Sequence, residues 1–348
     1  LLLRLLYFNP SISFSGSNAV LEAMHLKEGL YDPNLVWHPM GVRYVLVGLV
    51  SLSISLFGLS EFSVYFPILL ASLFNIILIY LLAKEMFDKK VGLFSAFLLA
   101  VLPLDIFNAT ILEADVLMGT FILAGAYFYY KFRKQERVAS WFALVGGLFA
   151  LGLFVKVFAL LILPIIVIYE LILQYTPQSF KRLFSLGMGF LFVSAPFLLY
   201  QYTKTGDFLY NIHVEREHVY GITYIKENLE PMHEFIPEEE DYFQYPKSMF
   251  FILPEKIFEG RHTDGTEPML NIYFYIFFLG LLLCYKKIES KKLLFLLLGF
   301  ILIFSFLEFY VVIQKVQRYL LIIMYPVIIL SAAFVMDFLS TRKKILFC

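Results

Sequence analysis

The sequence predicts an all-α, polytopic transmembrane helical bundle, with outer-face juxtamembrane helices and a long outer loop. Three observations carry this prediction. Hydrophobic residues make up 60% of the chain and charged residues only 16%, against about 25% charged in a soluble domain. Apolar runs recur along the chain, several near the roughly 20 residues that a spanning helix needs. Sixteen of the 28 basic residues fall in five short clusters, each between apolar runs. These are Lys84/Lys89/Lys90, Lys131/Arg133/Lys134/Arg137, Lys181/Arg182, Lys286/Lys287/Lys291/Lys292 and Arg342/Lys343/Lys344. Lys and Arg accumulate in short cytoplasmic loops, so the clusters mark the cytoplasmic side. The formal net charge of zero therefore conceals a division by side. Of the two cysteines, Cys284 lies in an apolar run and Cys348 is the last residue, which excludes a disulfide framework.

With all five clusters inside, successive clusters must be joined by an even number of crossings. Residues 1–8 are too short to span and read as the outer end of a first helix. Tyr44–Phe57 is apolar but short, and the loop after it has Glu61 and no base. It reads as an interfacial or re-entrant helix on the outer side. Residues 65–83 enter the first cluster from outside. Runs 91–112 and 116–130 follow, so Glu113 and Asp115 turn outside. Residues 138–175 form one long run between two inside clusters, and parity requires two short helices bending at Lys156. Residues 183–203 exit, 270–285 return, 293–313 exit and 319–338 return, giving about ten spans with the fragmentary first. Residues 204–269 hold 14 acids against 6 bases. The expected organisation is a core over 1–203, an acidic outer loop or cap over 204–269 and C-terminal transmembrane helices over 270–348.

The polar residues left on the outer side are the candidates for chemistry. Asp115 sits at the outer mouth between two spans, two residues after Glu113, and ionisable residues there tend to mark function; a solvated loop carboxylate would look the same. Lys156 is the only basic residue in its apolar stretch. Arg318, three residues after Lys315, begins another outer helix end. Both cations suit a phosphate, and both suit lipid-headgroup anchoring. His38-Pro39 and Arg43 close the first outer loop. His213, Glu215 and His218 lack the spacing of a zinc-protease motif. Asn108-Ala109-Thr110 is a formal glycosylation sequon at a helix mouth, and is discounted there. No Walker loop, dinucleotide fingerprint or Ser-His-Asp arrangement is present, and no nucleic-acid partner is expected.

Three stretches together resemble the GT-C superfamily of membrane glycosyltransferases. The first is Leu3-Arg4-Leu5-Leu6, Glu28-Gly29-Leu30-Tyr31-Asp32-Pro33 and Trp37-His38-Pro39. The second is 81–90, then Leu102-Pro103-Leu104-Asp105-Ile106-Phe107 and 112–115. The third is Gly152-Leu153-Phe154-Val155-Lys156 and 160–164, then Arg318-Tyr319-Leu320-Leu321 and Pro326. The likeness points to the dolichyl-phosphate-mannose–protein mannosyltransferase and lipid A aminoarabinose transferase types. It implies a polyprenyl- or dolichyl-phosphate sugar donor used on the outer face, and an acceptor protein, lipid or glycan. Asp115 matches the family's acid in the second outer loop, and Lys156 and Arg318 match positions near the donor phosphate. His38, Arg43 and Glu113 are the further substrate-binding candidates. One departure stands out. Where the family carries an early first-loop Asp, this chain reads Phe14-Ser15-Gly16-Ser17-Asn18, with Ser15 or Asn18 in that place. Glu22, Glu113 or Asp115 would then have to cover the role, or the chain is inactive.

The implied chemistry is inverting transfer in a polar hollow open to the outside. Asp115 acts as general base on the acceptor hydroxyl or amine, and Lys156 and Arg318 stabilise the departing phosphate. No cofactor is certain from the sequence; a divalent metal is compatible with the reaction. Two rival readings are a transporter or flippase of lipid-linked sugars and an inactive GT-C-like assembly subunit. The first requires inverted repeats, which the sequence lacks.

Overall fold

The computed structural model describes residues 2–6, 14–36, 38–135, 139–173, 175–220, 267–284, 290–309 and 320–346. Every regular element among them is helical. In chain order these are α1 (Leu2–Leu6), α2 (Phe14–Glu28), α3 (Tyr44–Phe57), α4 (Glu61–Met86), α5 (Lys89–Ala100), α6 (Pro103–Asn108) and α7 (Ala114–Lys134). There follow α8 (Phe142–Leu153), α9 (Ile162–Ile168), α10 (Ser179–Thr205), α11 (Tyr210–Tyr220), α12 (Glu267–Cys284), α13 (Ser290–Phe309) and α14 (Leu321–Leu346). The chain is an all-α, polytopic membrane bundle. Glu61–Met86, Ser179–Thr205 and Leu321–Ser340 are each long and apolar enough to cross a membrane. Large side chains such as Phe74, Ile77, Phe184, Leu191 and Phe192 face outward from α4 and α10, as a hydrocarbon solvent permits.

Local chemistry sets the boundaries. Ser60 and Ser63 cap the start of α4 reciprocally, side chain to backbone in both directions. The Asp88 carboxylate accepts from the Lys90 and Val91 amides to open α5. The run 91–112, expected to continue as one span, is instead broken into α5 and α6. Pro103 lacks an amide donor and pushes Leu102 to extended backbone (φ −66°, ψ 114°). The break that was expected is present: α8 ends at Leu153, and Lys156 is extended (φ −163°, ψ 134°) before the 3-10 turn Val157–Leu161 and α9. Helices α8 and α10 pack through glycine. A Cβ on Gly146 would lie 1.9 Å from the Leu186 carbonyl oxygen, and one on Gly189 2.0 Å from that of Ala143. Only backbones without side chains can approach so closely.

Four of the basic clusters meet at one end of the bundle. Lys134 pairs with Glu85 at 3.2 Å, joining the C-terminal ends of α7 and α4. Arg133 and Arg182 both face Glu170, in the π-helical turn Tyr169–Leu173, at 2.8 and 3.7 Å. Lys292 near the start of α13 lies over the Phe87 ring. The fifth cluster falls in the last turns of α14.

Candidate active site

Asp115 stands in the first turn of α7, at the end opposite the basic clusters. At a helical rise of about 1.5 Å per residue, about 27 Å separates it from Arg133, close to a hydrocarbon-core thickness. Asp115 is fully buried, as is Glu113, the residue before α7. The break after α8 aims Lys156 at it: Lys156 Nζ donates to Asp115 Oδ1 at 2.7 Å, with both side chains buried. The ammonium also lies 5.1 Å from the centre of the Phe158 ring, an arrangement that favours a desolvated cation.

Arg43 joins this pair from a third element. It lies between the 3-10 turn Pro39–Val42 and α3. The amide of Val45, two residues on, donates to the Phe154 carbonyl at 3.2 Å, tying the start of α3 to the break that carries Lys156. Arg43 Nη2 reaches both carboxylate oxygens of Glu215 on α11, at 3.0 and 3.1 Å. Burial works against the Arg43 charge, but the carboxylates of Glu215, Glu113 and Asp115 outweigh it and raise its pKa above the ordinary value. Among the described residues, two cations and three carboxylates thus form one buried cluster.

The remaining candidates separate. His38 is buried, and its Nδ1 accepts from the Met40 amide at 3.2 Å, capping the turn that leads to Arg43. Arg318, with Lys315, lies outside the described residues. Asn18 and Glu22 share a buried face of α2. His213 pairs with Asp207 while Glu215 faces Arg43, so these two diverge rather than flank a metal. No group of three His, Cys, Asp or Glu among the described residues could hold a metal ion. Asn108 of the sequon is fully buried and donates to the Leu104 carbonyl.

Two polar features escaped the sequence reading. Glu215 was weighed only as part of a metal motif. A second buried ion pair joins Arg4 to Asp105, and Ser72 bridges it by accepting from Arg4 Nε and donating to Asp105, each at 2.6 Å. Opposite charges in two apolar runs were the available signal. One turn further along α4, Asn75 donates to the Val116 carbonyl at 3.0 Å, pinning the turn of α7 that bears Asp115.

The family described as dolichyl-phosphate-mannose-protein mannosyltransferase matches residues 38–200, which include Arg43, Asp105, Glu113, Asp115 and Lys156 but neither Arg4 nor Glu215. An uncharacterized protein of Aquifex aeolicus (strain VF5) is 27% identical over 299 residues, 85% of this chain and 52% of that one. Among solved structures, ArnT from Cupriavidus metallidurans in the apo state superposes with a TM-score of 0.66 at 14% identity, covering 96% of this chain and 57% of ArnT. The undecaprenyl-phosphate-bound form of ArnT gives the same score at 11% identity. The Archaeoglobus fulgidus oligosaccharyltransferase AglB, solved with an inhibitory peptide and a dolichol-phosphate, gives 0.58 at 14% identity, covering 95% of this chain and 47% of AglB. The chain thus spans about half the length of the relatives it matches.

Proposed function

Since the chain has the GT-C-type glycosyltransferase fold, we propose that it moves a sugar from a polyprenyl- or dolichyl-phosphate donor to an acceptor hydroxyl or amine. The reaction takes place on the extracytoplasmic face, where the end bearing Asp115 lies if the basic clusters lie inside. The observation that carries this reading is the buried Lys156–Asp115 pair, set a membrane's thickness from those clusters. Asp115 takes the proton of the acceptor as its oxygen or nitrogen attacks the anomeric carbon. The C1–O bond breaks, and its electrons leave with the lipid phosphate. Lys156 neutralises that charge. An ammonium has three donors, so it can hold the carboxylate and a phosphate oxygen together. Arg318 is the second phosphate partner in this scheme, and His38 shapes the loop that carries Arg43. Attack from the face opposite the phosphate inverts the anomeric carbon.

The test is donor consumption. The protein reconstituted in nanodiscs is incubated with polyprenyl-phosphate sugars, mannose first. Release of polyprenyl phosphate that disappears in Asp115→Asn supports the reading, and a retained anomeric configuration in the product refutes inversion. One observation favours a second reading, a non-catalytic assembly subunit: α2 carries Ser15 and, on its buried face, Asn18, one of which stands where the resemblance leads one to expect an acid. Donor that binds but is never consumed, with any acceptor, selects that alternative.

A further inference from the structure

We propose that Arg43 receives the donor's phosphate and that Glu215 is the internal anion which the phosphate displaces, releasing α11 from the site. This rests on reading the hollow as a lipid-phosphate site.

Arg43 is buried, only 8% exposed, yet its guanidinium is poorly matched by its surroundings. Nη2 alone serves both Glu215 oxygens. Nη1 faces Met40 Sδ, a weak acceptor. Nε has no hydrogen-bond partner among the described residues. A carboxylate bound for stability would take the parallel, two-nitrogen geometry that the guanidinium fork prefers. Here Nη1 and Nε meet no oxygen among the described residues, and a tetrahedral phosphate diester, whose bridging oxygens can also accept, would serve them better than Glu215 does.

Charge points to the kind of anion. Among the described residues, the cluster holds Arg43 and Lys156 against Glu113, Asp115 and Glu215. A sugar joined to a lipid through one phosphate is a diester with a single negative charge and two free oxygens, like the carboxylate it would replace. Exchanging one for the other leaves the buried charge unchanged. A diphosphate-linked donor would add negative charge beside Glu113 and Asp115, which a low-dielectric site disfavours. The exchange therefore selects a monophosphate-linked donor.

Position supplies the consequence. Glu215 lies on α11, which follows α10 through Gly206, a residue in the left-handed region (φ 76°). The Glu215–Arg43 bond clasps α11 to the start of α3, so displacement of Glu215 undoes that clasp. Donor arrival and opening of the site toward the acceptor become one event.

Hydrogen exchange over residues 210–220 reads this directly, in full-length protein in nanodiscs. Undecaprenyl-phosphate-mannose should bind and speed exchange there, while undecaprenyl diphosphate or inorganic phosphate at the same concentration should not. Glu215→Gln, which removes the competing charge, should bind the mannose lipid about tenfold more tightly and exchange quickly without it. Binding of the mannose lipid with unchanged exchange over 210–220 overturns the displacement and leaves the lipid-phosphate reading standing, as does weaker or equal binding by Glu215→Gln. Stronger binding of the diphosphate overturns the charge argument, and an equal response to inorganic phosphate overturns the lipid assignment. Failure of wild type and Glu215→Gln alike to bind any of the three sinks the lipid-phosphate reading itself. The wild-type exchange arm decides the displacement even if the variant does not fold.

Discussion

The two buried charge clusters at opposite ends of α7 are built to different rules. At the basic end, one carboxylate faces two guanidinium groups. Glu170 Oε1 accepts from Tyr129 at 2.9 Å and Arg133 Nε at 2.8 Å, and Oε2 accepts from Ser179 at 2.6 Å. Arg182 stands further off at 3.7 Å, its guanidinium over the Phe142 ring, and Arg133 lies over the Tyr169 ring. Both carboxylate oxygens are occupied, by groups from α7 and α10. At the other end, among the described residues, two cations meet three carboxylates, and Arg43 keeps donors that no oxygen accepts. A saturated carboxylate clamps helices together; an unmatched guanidinium retains capacity for a ligand. Burial and charge alone do not distinguish them, since both clusters are buried and ionic. The accounting of donors and acceptors does.

Exchanging the lesions tests that contrast most severely. Asp115→Asn should cut turnover by about 10²–10⁴-fold, the usual worth of a general base, and lower Tm less than Glu170→Gln does, because two further carboxylates, Glu113 and Glu215, remain in the cluster. Glu170→Gln should do the reverse. It leaves Arg133 and Arg182 without their counter-charge and should lower stability by about 3–5 kcal/mol, with donor binding per folded molecule unchanged. Thermal unfolding and single-turnover transfer on both variants give the four values needed. An unstable Asp115→Asn beside an inactive but stable Glu170→Gln would break the comparison.

A smaller lesion sharpens it. Asn75 touches neither charge cluster but holds the Val116 carbonyl beside Asp115. Asn75→Leu should lower stability by about 1 kcal/mol for the lost hydrogen bond. It should also lower kcat with little change in KM, because the base is misaimed while the phosphate partners stay. A matching loss in KM would mean that the whole hollow has collapsed, and that its order depends on α4 rather than on its own charges.

How much of this was legible from sequence follows the range of each interaction. The segregation of basic residues, a local pattern, led to the common end where Glu85, Glu170 and Phe87 gather four clusters. Parity required the break at Lys156, and it is there. The break at Pro103 was equally local, since a proline disfavours helix at the residue before it, but the hydropathy of the run masked it. Pairings between distant residues left no such mark. Nothing near Arg43 announces Glu215, 172 residues away, and Arg4 and Asp105, 101 residues apart, were marked only by their opposite charges in two apolar runs. The shared end of Asp115 and Lys156 could be argued from topology; their contact needed three dimensions, and their roles remain proposals.

The smallest expected effects supply the control that makes the larger ones interpretable. Ser60 caps α4 at the end of the bundle that bears Asp115, and Asp88 caps α5 at the basic end. Both are exposed and touch neither cluster. Ser60→Ala and Asp88→Ala should each cost about 1 kcal/mol, because each frees amides at one helix start. Neither should alter turnover, since a fraying first turn is relieved by water and does not propagate through a packed bundle. If Ser60→Ala alone slowed transfer, any loosening near the hollow would suffice to impair it. The loss in Asp115→Asn would then report general disorder at that end, and the distinction between a clamping carboxylate and a reacting one would have to be drawn on other grounds.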